Sequence, residues 1–335
     1  MAQTATLGLA DVQALARRIF ASLGFGAVDA GILADTIMRA ERDGPRSHGL
    51  FMLPAYASSV RSGWADPRGV PNLERPRPGR LEVDGGNNFA QISMARYRDD
   101  LIAAARELGV ATLSIRNSHH IAALRGDIEP IAAQGLIALM FVASRLWLAP
   151  WRGRRRVFGT NPMAFACPRP DGPPIVWDMA SSAVALTDLR LAASQGHAAP
   201  ADAILDAQGN PTTDPRAIES GGMLLPFGGH KGMAVALMVE ILAAALTGGN
   251  LALEDQSAKT PGAMSARGGQ LMLVLDPAGA GGASFGRRVA MLIGAIEGNG
   301  EARVPGDGRL ARRAAAERDG VTVDAALLDR LNKLG

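Results

Sequence analysis

The chain has 335 residues, a formal net charge of +3 and a sequence pI near 9.5. With 47% hydrophobic and 20% charged residues it reads as a soluble globular protein, which excludes a disordered or fibrous chain. Aromatics make up only 4%, so the core must rest on Ala, Leu, Val, Ile and Met. The length exceeds what one core usually serves and predicts two or three subdomains.

Apolar positions recur at helical spacing over 8–23 and 28–43, separated by Gly24 and Gly26. Residues 50–62 predict a third helix ended by Gly63. The Pro-rich stretch 67–78 reads as a connector and a subdomain boundary. The pattern then changes. Residues 80–84 predict a strand, 92–108 a helix ended by Gly109, 110–115 a strand, 121–133 a helix, and 136–142 a strand. That alternation predicts an α/β layer with helices on the sheet. Two short apolar runs, 163–166 and 175–177, precede a helix over 183–194. Residues 198–222 are rich in turn chemistry. A helix over 230–247, a strand over 270–275, a helix over 287–298 and a helical, amphipathic tail over 309–335 complete the chain.

Several function classes are excluded at this stage. Arg152, Arg154, Arg155 and Arg156 form one basic group, and Arg309, Arg312 and Arg313 another. Neither is interleaved with aromatics, so no nucleic-acid partner is expected. The longest apolar run, 233–247, is interrupted by Glu240 and is too short for a bilayer. Cys167 is alone and the N-terminus lacks signal-peptide character, so a reducing, cytoplasmic setting is expected. No Gly-x-Gly-x-x-Gly follows the early strands, and the stretch from Gly279 to Gly286 fails that spacing at Ser284. A metal site is not expected, because His119 and His120 are adjacent and would point different ways.

Four of the five histidines stand beside glycine or a small polar residue. They lie in Ser47-His48-Gly49, Asn117-Ser118-His119-His120 and Gly228-Gly229-His230-Lys231-Gly232. Gly159-Thr160-Asn161-Pro162 reads as part of the same site. A histidine beside a serine in a polar turn is a candidate proton donor. Taken singly, each motif reads equally as a capped helix end or a surface loop.

These motifs carry a resemblance. Glu41-Arg42-Asp43-Gly44, Ser47-His48-Gly49, Phe89-Ala90-Gln91, Asn117–His120, Phe158–Pro162, Asp178-Met179-Ala180, Asp206–Pro215 and Leu225–Gly232 make the chain similar to the malate/L-lactate dehydrogenase-like oxidoreductases over nearly its full length. Within them it is most similar to the Δ1-piperideine-2-carboxylate/Δ1-pyrroline-2-carboxylate reductase branch. The resemblance implies a non-Rossmann nicotinamide-binding α/β fold, with a mixed sheet covered by helices. It implies a helical subdomain of residues 1–78 packed with 300–335, and a cofactor- and substrate-binding region over 79–299. It also implies a homodimer, a small-molecule substrate and NADPH or NADH as cofactor.

Residue roles follow from the same resemblance. His48 would donate the proton, oriented by Ser47 and Asp188. The cofactor would meet His120, Ile121, Ala122, Ala123 and Leu124, then Asp178, Met179 and Ala180, and finally Pro305, Gly306 and Arg309. Met52, Thr160, Gly229, His230 and Lys231 would surround the substrate. The implied activity is hydride transfer to a cyclic imine. The alternatives are a 2-oxo or 2-hydroxy acid dehydrogenase and a catalytically silent binding paralogue.

Three departures bear on specificity. Met52 replaces an arginine usual in the branch, Leu186-Thr187 replaces a histidine-glycine pair, and Ala143-Ser144 replaces Asn-Ser ahead of Arg145 and Trp147. Methionine cannot make an arginine's bidentate contact to a carboxylate. Either the substrate has no carboxylate there, or a cation such as Arg145, Arg152 or Arg154 takes over. The apolar Met52, Trp147 and Trp151 favour the first expectation.

Overall fold

The computed structural model describes residues 3–44, 48–280 and 284–335. Helices predominate among the described residues from Leu9 to Arg61, as the spacing predicts. Helices α1 (Leu9–Ser22) and α2 (Ala27–Asp43) pack through Val12, Leu15, Ile19, Leu33 and Ile37, all buried. A 3₁₀ turn (Leu50–Met52) leads into α3 (Leu53–Arg61), whose Pro54 sits in the first turn, where a missing N–H costs nothing.

The helical tail is interrupted. After α10 (Asp307–Asp319) the chain forms a strand, Val321–Asp324, before the last helix, Ala325–Asn332. That strand pairs antiparallel with Thr4–Leu7. Two four-residue strands more than 300 positions apart leave almost no local signature. The pairing carries Val321, Val323, Leu327 and Leu331 into the same core as α1, α2 and α3.

The central sheet has seven strands. Asn72–Arg77 (β2), Arg80–Phe89 (β3), Val110–His119 (β4), Ile137–Val142 (β5), Met163–Cys167 (β8), Ile175–Met179 (β9) and Arg267–Leu275 (β13) line up in the order β2-β3-β4-β13-β5-β8-β9. β3 and β4 run parallel, and every other neighbouring pair is antiparallel. The expected mixed sheet covered by helices is therefore present. β4 and β5, adjacent in the strand–helix–strand reading, are separated by β13 from far along the chain. β2 occupies the expected Pro-rich connector. It is an edge strand, the place where Pro76 can sit without breaking a ladder. Helices α4 (Ala90–Leu108) and α5 (Arg125–Ala132) cover one face through Leu101, Ala105, Ile128 and Ile131.

A third, smaller core joins a sheet of five short strands to α6 (Leu186–Gln195) and α7 (His230–Glu240). α7 passes at Glu240 into a π-type turn, Ile241–Ala245. Glu240, the charge in the long apolar run, is buried: Asn161 Nδ2 donates to it at 2.5 Å and the Ala252 amide at 2.5 Å. Among the described residues no helix is long and apolar enough to cross a membrane.

One buried ion cluster ties α2, α5 and α10 together. Arg309 Nη1 lies 3.1 Å from Asp43 and 3.0 Å from Glu129, and Arg313 Nη2 lies 2.6 Å and 2.7 Å from the same two carboxylates. Burial raises the pKa of both carboxyls. The guanidinium bonds, from Arg313 and Arg42 at Asp43 and from Arg313 and Arg309 at Glu129, overcome it and hold both below the ordinary range. Their stabilisation is thus complete above the unfolded-state values near 4 and is lost as the pH falls toward the folded ones. Replacing Arg309 by Met leaves buried carboxylate charge short of a partner and should cost about 3–5 kcal/mol. In urea unfolding, wild type should keep its stability from pH 7 to about 5 and lose it below about 4, where the gap between wild type and Arg309→Met narrows.

Candidate active site

A cavity of about 460 Å³ opens between the helical unit, the C-terminal ends of β4, β5 and β9, and the start of α6. That volume is in the range of small-molecule sites. Its walls include His48, Met52, His120, Ala122, Ala123, Leu124, Thr160, Asp178, Met179 and Ala180, segments separated by more than 100 residues.

His48 reaches the cavity from the loop after α2. Glu41, near the end of that helix, accepts the Leu50 amide at 2.7 Å. Its carboxylate lies over Gly49 so closely that a Cβ there would collide with it. The glycine of Ser-His-Gly is therefore a close-approach position. Ser47, the expected orienting residue, lies outside the described residues.

Burial lowers the His48 pKa from its ordinary 6.5. Asp178 pulls it up, Arg125 and His120 push it down, and Asp188 pulls it up more weakly. Asp188 stands in the first turn of α6 with its side chain exposed, off the cavity wall. Its influence is through space.

The 120–124 segment is a loop rather than the start of the expected helix, which begins at Arg125. Ala122 has φ 58°, a left-handed conformation that helix cannot accommodate. The loop is held by three bonds. Gln91 Nε2 donates to the Ile121 carbonyl at 2.7 Å, the Ile121 amide donates to Gln91 Oε1 at 3.3 Å, and the Ala122 amide donates to the Tyr56 hydroxyl at 3.0 Å. His120 Nε2 lies 2.9 Å from Asp127. His119 faces the core instead, bonded to Asn87 and Ser265 at 3.0 Å each, and burial lowers its pKa to about 4.

Arg125 follows the loop directly. Its Nη1 donates to Asp178 at 2.9 Å and its Nη2 to the Gly44 carbonyl. On the opposite wall Ser144 and Thr160 share a hydroxyl–hydroxyl bond of 2.8 Å. The small side chains of Ala122, Ala123, Ala143, Ala180, Ala185 and Ala266 leave that cavity open, and a nicotinamide cofactor fits such a wall of small side chains.

The other expected site residues lie elsewhere. Arg309 is 4% exposed within the ion cluster, which leaves its guanidinium no path to a cofactor. Gly306 caps α10 with φ 95° and packs on the Val176 carbonyl, where any Cβ would collide; Pro305 beside it is exposed. Gly229, His230 and Lys231 open α7 away from the cavity wall, with the Trp151 ring tilted against His230 at 5.5 Å. The sequence assigns no role to four residues at the site: Tyr56, Gln91, Arg125 and Ser144. Gln91 and Ser144 stand in quoted motifs and Tyr56 is one of two tyrosines in an aromatic-poor chain, whereas Arg125 carries no signal.

The pulls on His48 give a testable order. Asp178→Asn should move the acidic limb of the His48 titration, followed by NMR, further below 6.5 than Asp188→Asn does. Equal shifts, or a rise, would show that these carboxylates do not set the imidazole's basicity.

With this geometry in hand, comparison with known proteins is direct. The pattern of the malate/L-lactate dehydrogenase family matches residues 8–332. The chain is 46% identical over 331 residues to the Δ1-pyrroline-2-carboxylate/Δ1-piperideine-2-carboxylate reductase of Pseudomonas syringae pv. tomato, covering 99% of this chain and 96% of the relative. It is 44% identical over 324 residues to the reductase of the same description from Pseudomonas putida, covering 97% and 95%. The crystal structure of Δ1-piperideine-2-carboxylate reductase from P. syringae superposes with a TM-score of 0.96, covering 99% of this chain and 100% of that one. The chain belongs to the malate/L-lactate dehydrogenase family.

Proposed function

We propose that this protein is an NADPH- or NADH-dependent reductase of cyclic imines of the Δ1-piperideine-2-carboxylate and Δ1-pyrroline-2-carboxylate type. The observation that carries the reading is one cavity lined by a buried histidine, a hydroxyl pair and a loop of small residues. The likeness to the two reductases supports the choice of substrate.

When bound, the reduced nicotinamide supplies a hydride to the carbon of the C=N bond. His48 gives its proton to the nitrogen, so that one C–H and one N–H bond form as the π bond is lost. Ser47 would orient the imidazole, and Asp188 favours its protonated form through space. Ser144 and Thr160 hold the substrate from the facing wall. The 120–124 loop and Asp178–Ala180 receive the cofactor, with Tyr56 and Gln91 keeping the loop's shape. A homodimer is part of this reading, supported by the exposed Leu237, Ile241 and Leu246 on and after α7. A cytoplasmic setting is supported by the single, buried Cys167.

The test is turnover of a panel of cyclic imines and 2-oxo acids with each cofactor. The cyclic 2-carboxylates should be reduced fastest; preference for an open-chain 2-oxo acid would assign a dehydrogenase instead. His48→Ala should keep cofactor binding and lose about 10²–10⁴-fold in turnover. The donor must carry its proton, so kcat/KM for reduction should fall as the pH rises through a value below 6.5, once the substrate's own protonation is allowed for.

A further inference from the structure

Three arginines reach the cavity wall: Arg125, Arg145 and Arg190. Their existing partners differ sharply. Arg125 is committed to Asp178 and to the Gly44 carbonyl. Arg190 Nε donates to Glu219 at 2.7 Å. Arg145 has no such partner at bonding distance among the described residues. Its nearest carboxylate oxygen, on Asp255, is 3.9 Å away, and the Met264 carbonyl is at 3.5 Å. Both lie beyond a good hydrogen bond. Asp255 is also occupied, accepting from the Ser257 amide at 2.9 Å and the Ser257 hydroxyl at 2.8 Å.

A partly buried guanidinium without a close anion is an unfavourable arrangement. Its side chain is 22% exposed, so water compensates it only in part. It borders the Ser144–Thr160 hydroxyl pair in sequence and shares the cavity with His48. Trp147 lies 5.8 Å from its guanidinium and flanks the same wall. The other arginines of this loop are placed differently. Arg152 stacks on Trp151 at 4.2 Å and does not line the cavity, and Arg154 packs against Gly209. Met52 supplies only an apolar surface opposite.

We propose that Arg145 binds the carboxylate of the substrate, supplying from the β5 end of the cavity the cation that Met52 lacks. This rests on the proposed function only in taking the substrate to be a cyclic imine bearing a 2-carboxylate. It reverses the sequence expectation, which favoured a substrate without that group. Burial depresses the Arg145 pKa first, Asp255 and Glu219 raise it, and Arg190 lowers it, which fits a cation still short of negative charge.

The test uses the full-length enzyme with Δ1-piperideine-2-carboxylate and with Δ1-piperideine, which lacks the carboxylate. Arg145→Gln should raise KM for the carboxylate substrate about tenfold or more, the usual weight of a charged hydrogen bond, with kcat changed by less than about threefold. The neutral imine should be unaffected, and Arg145→Lys should recover part of the loss. Adding Met52→Arg to Arg145→Gln should restore binding of the carboxylate substrate. An unchanged KM, equal losses on both imines, or a larger effect from Arg190→Gln would overturn the proposal. Calorimetric titration with picolinate, a planar 2-carboxylate that is not reduced, separates this from the choice of reaction. Weaker binding to Arg145→Gln than to wild type supports the proposal even if no imine is turned over, and equal binding, or none to either, overturns it.

Discussion

The site depends on the guanidinium of Arg125. It joins three segments that the chain brings from far apart: the end of α2, held through the Gly44 carbonyl; the end of β9, held through Asp178; and the start of α5, to which Arg125 itself belongs. Arg125 is 8% exposed, so each of these bonds works in a low-dielectric setting where losing one is costly. The same contact has an electrostatic consequence. Asp178 is shared between neutralising Arg125 and pulling up the basicity of His48. A group that builds the cavity therefore also tunes its buried histidine.

Behind Arg125 stands the ion cluster. Arg312 Nε donates to the Asp43 carbonyl at 3.2 Å, one residue before the carbonyl that Arg125 holds, and Arg309 and Arg313 grip the Asp43 carboxylate. Helix α10 thus braces the end of α2, the element that precedes His48 in the chain. Glu41 acts from the same end of α2 by fixing the backbone after His48. The Glu41-Arg42-Asp43-Gly44 motif acquires a physical meaning here. Glu41 accepts the Leu50 amide just after His48, the Gly44 carbonyl meets Arg125, and Asp43 ties the end of α2 to α10. Arg309 serves the site one layer beneath it.

This explains what could be read from the chain and what could not. The long helices and central strands were legible because one element writes its own periodicity: α1, α2, α4 and β5 lie close to their expected limits, and β4 starts where expected but runs on to His119. The β13 insertion and the terminal two-stranded ribbon were not, because strand partners are chosen by non-local packing that leaves no local pattern. At the site, His48, Thr160 and Asp178 were visible through the motifs that contain them. Gln91 and Ser144 lay within or beside quoted motifs, yet nothing in their neighbourhood announces a bond to a loop or hydroxyl far along the chain. The position of Arg309 was misjudged for a related reason. A basic residue near a presumed cofactor segment looks like an anion contact until the carboxylates packed against it are known.

His48 embodies a tension that the cavity resolves by charge. A buried imidazole holds its proton weakly, which makes it a stronger acid once protonated and a rarer one at neutral pH. Asp178 and Asp188 offset that loss without removing it, since Arg125 and His120 oppose them. Arg145 and Arg190 add further positive charge to the same cavity. Entry of an anionic substrate changes the balance. A carboxylate neutralises positive charge close to the imidazole, and excluding water strengthens every remaining interaction. Substrate binding should then favour protonated His48 at the moment a proton is needed. Burial disfavours the imidazolium in the free protein, and a bound anion would offset that in the complex. On the proposed reading the apolar Met52 wall and Arg145 belong to one arrangement, in which the substrate's carboxylate brings negative charge to the cavity.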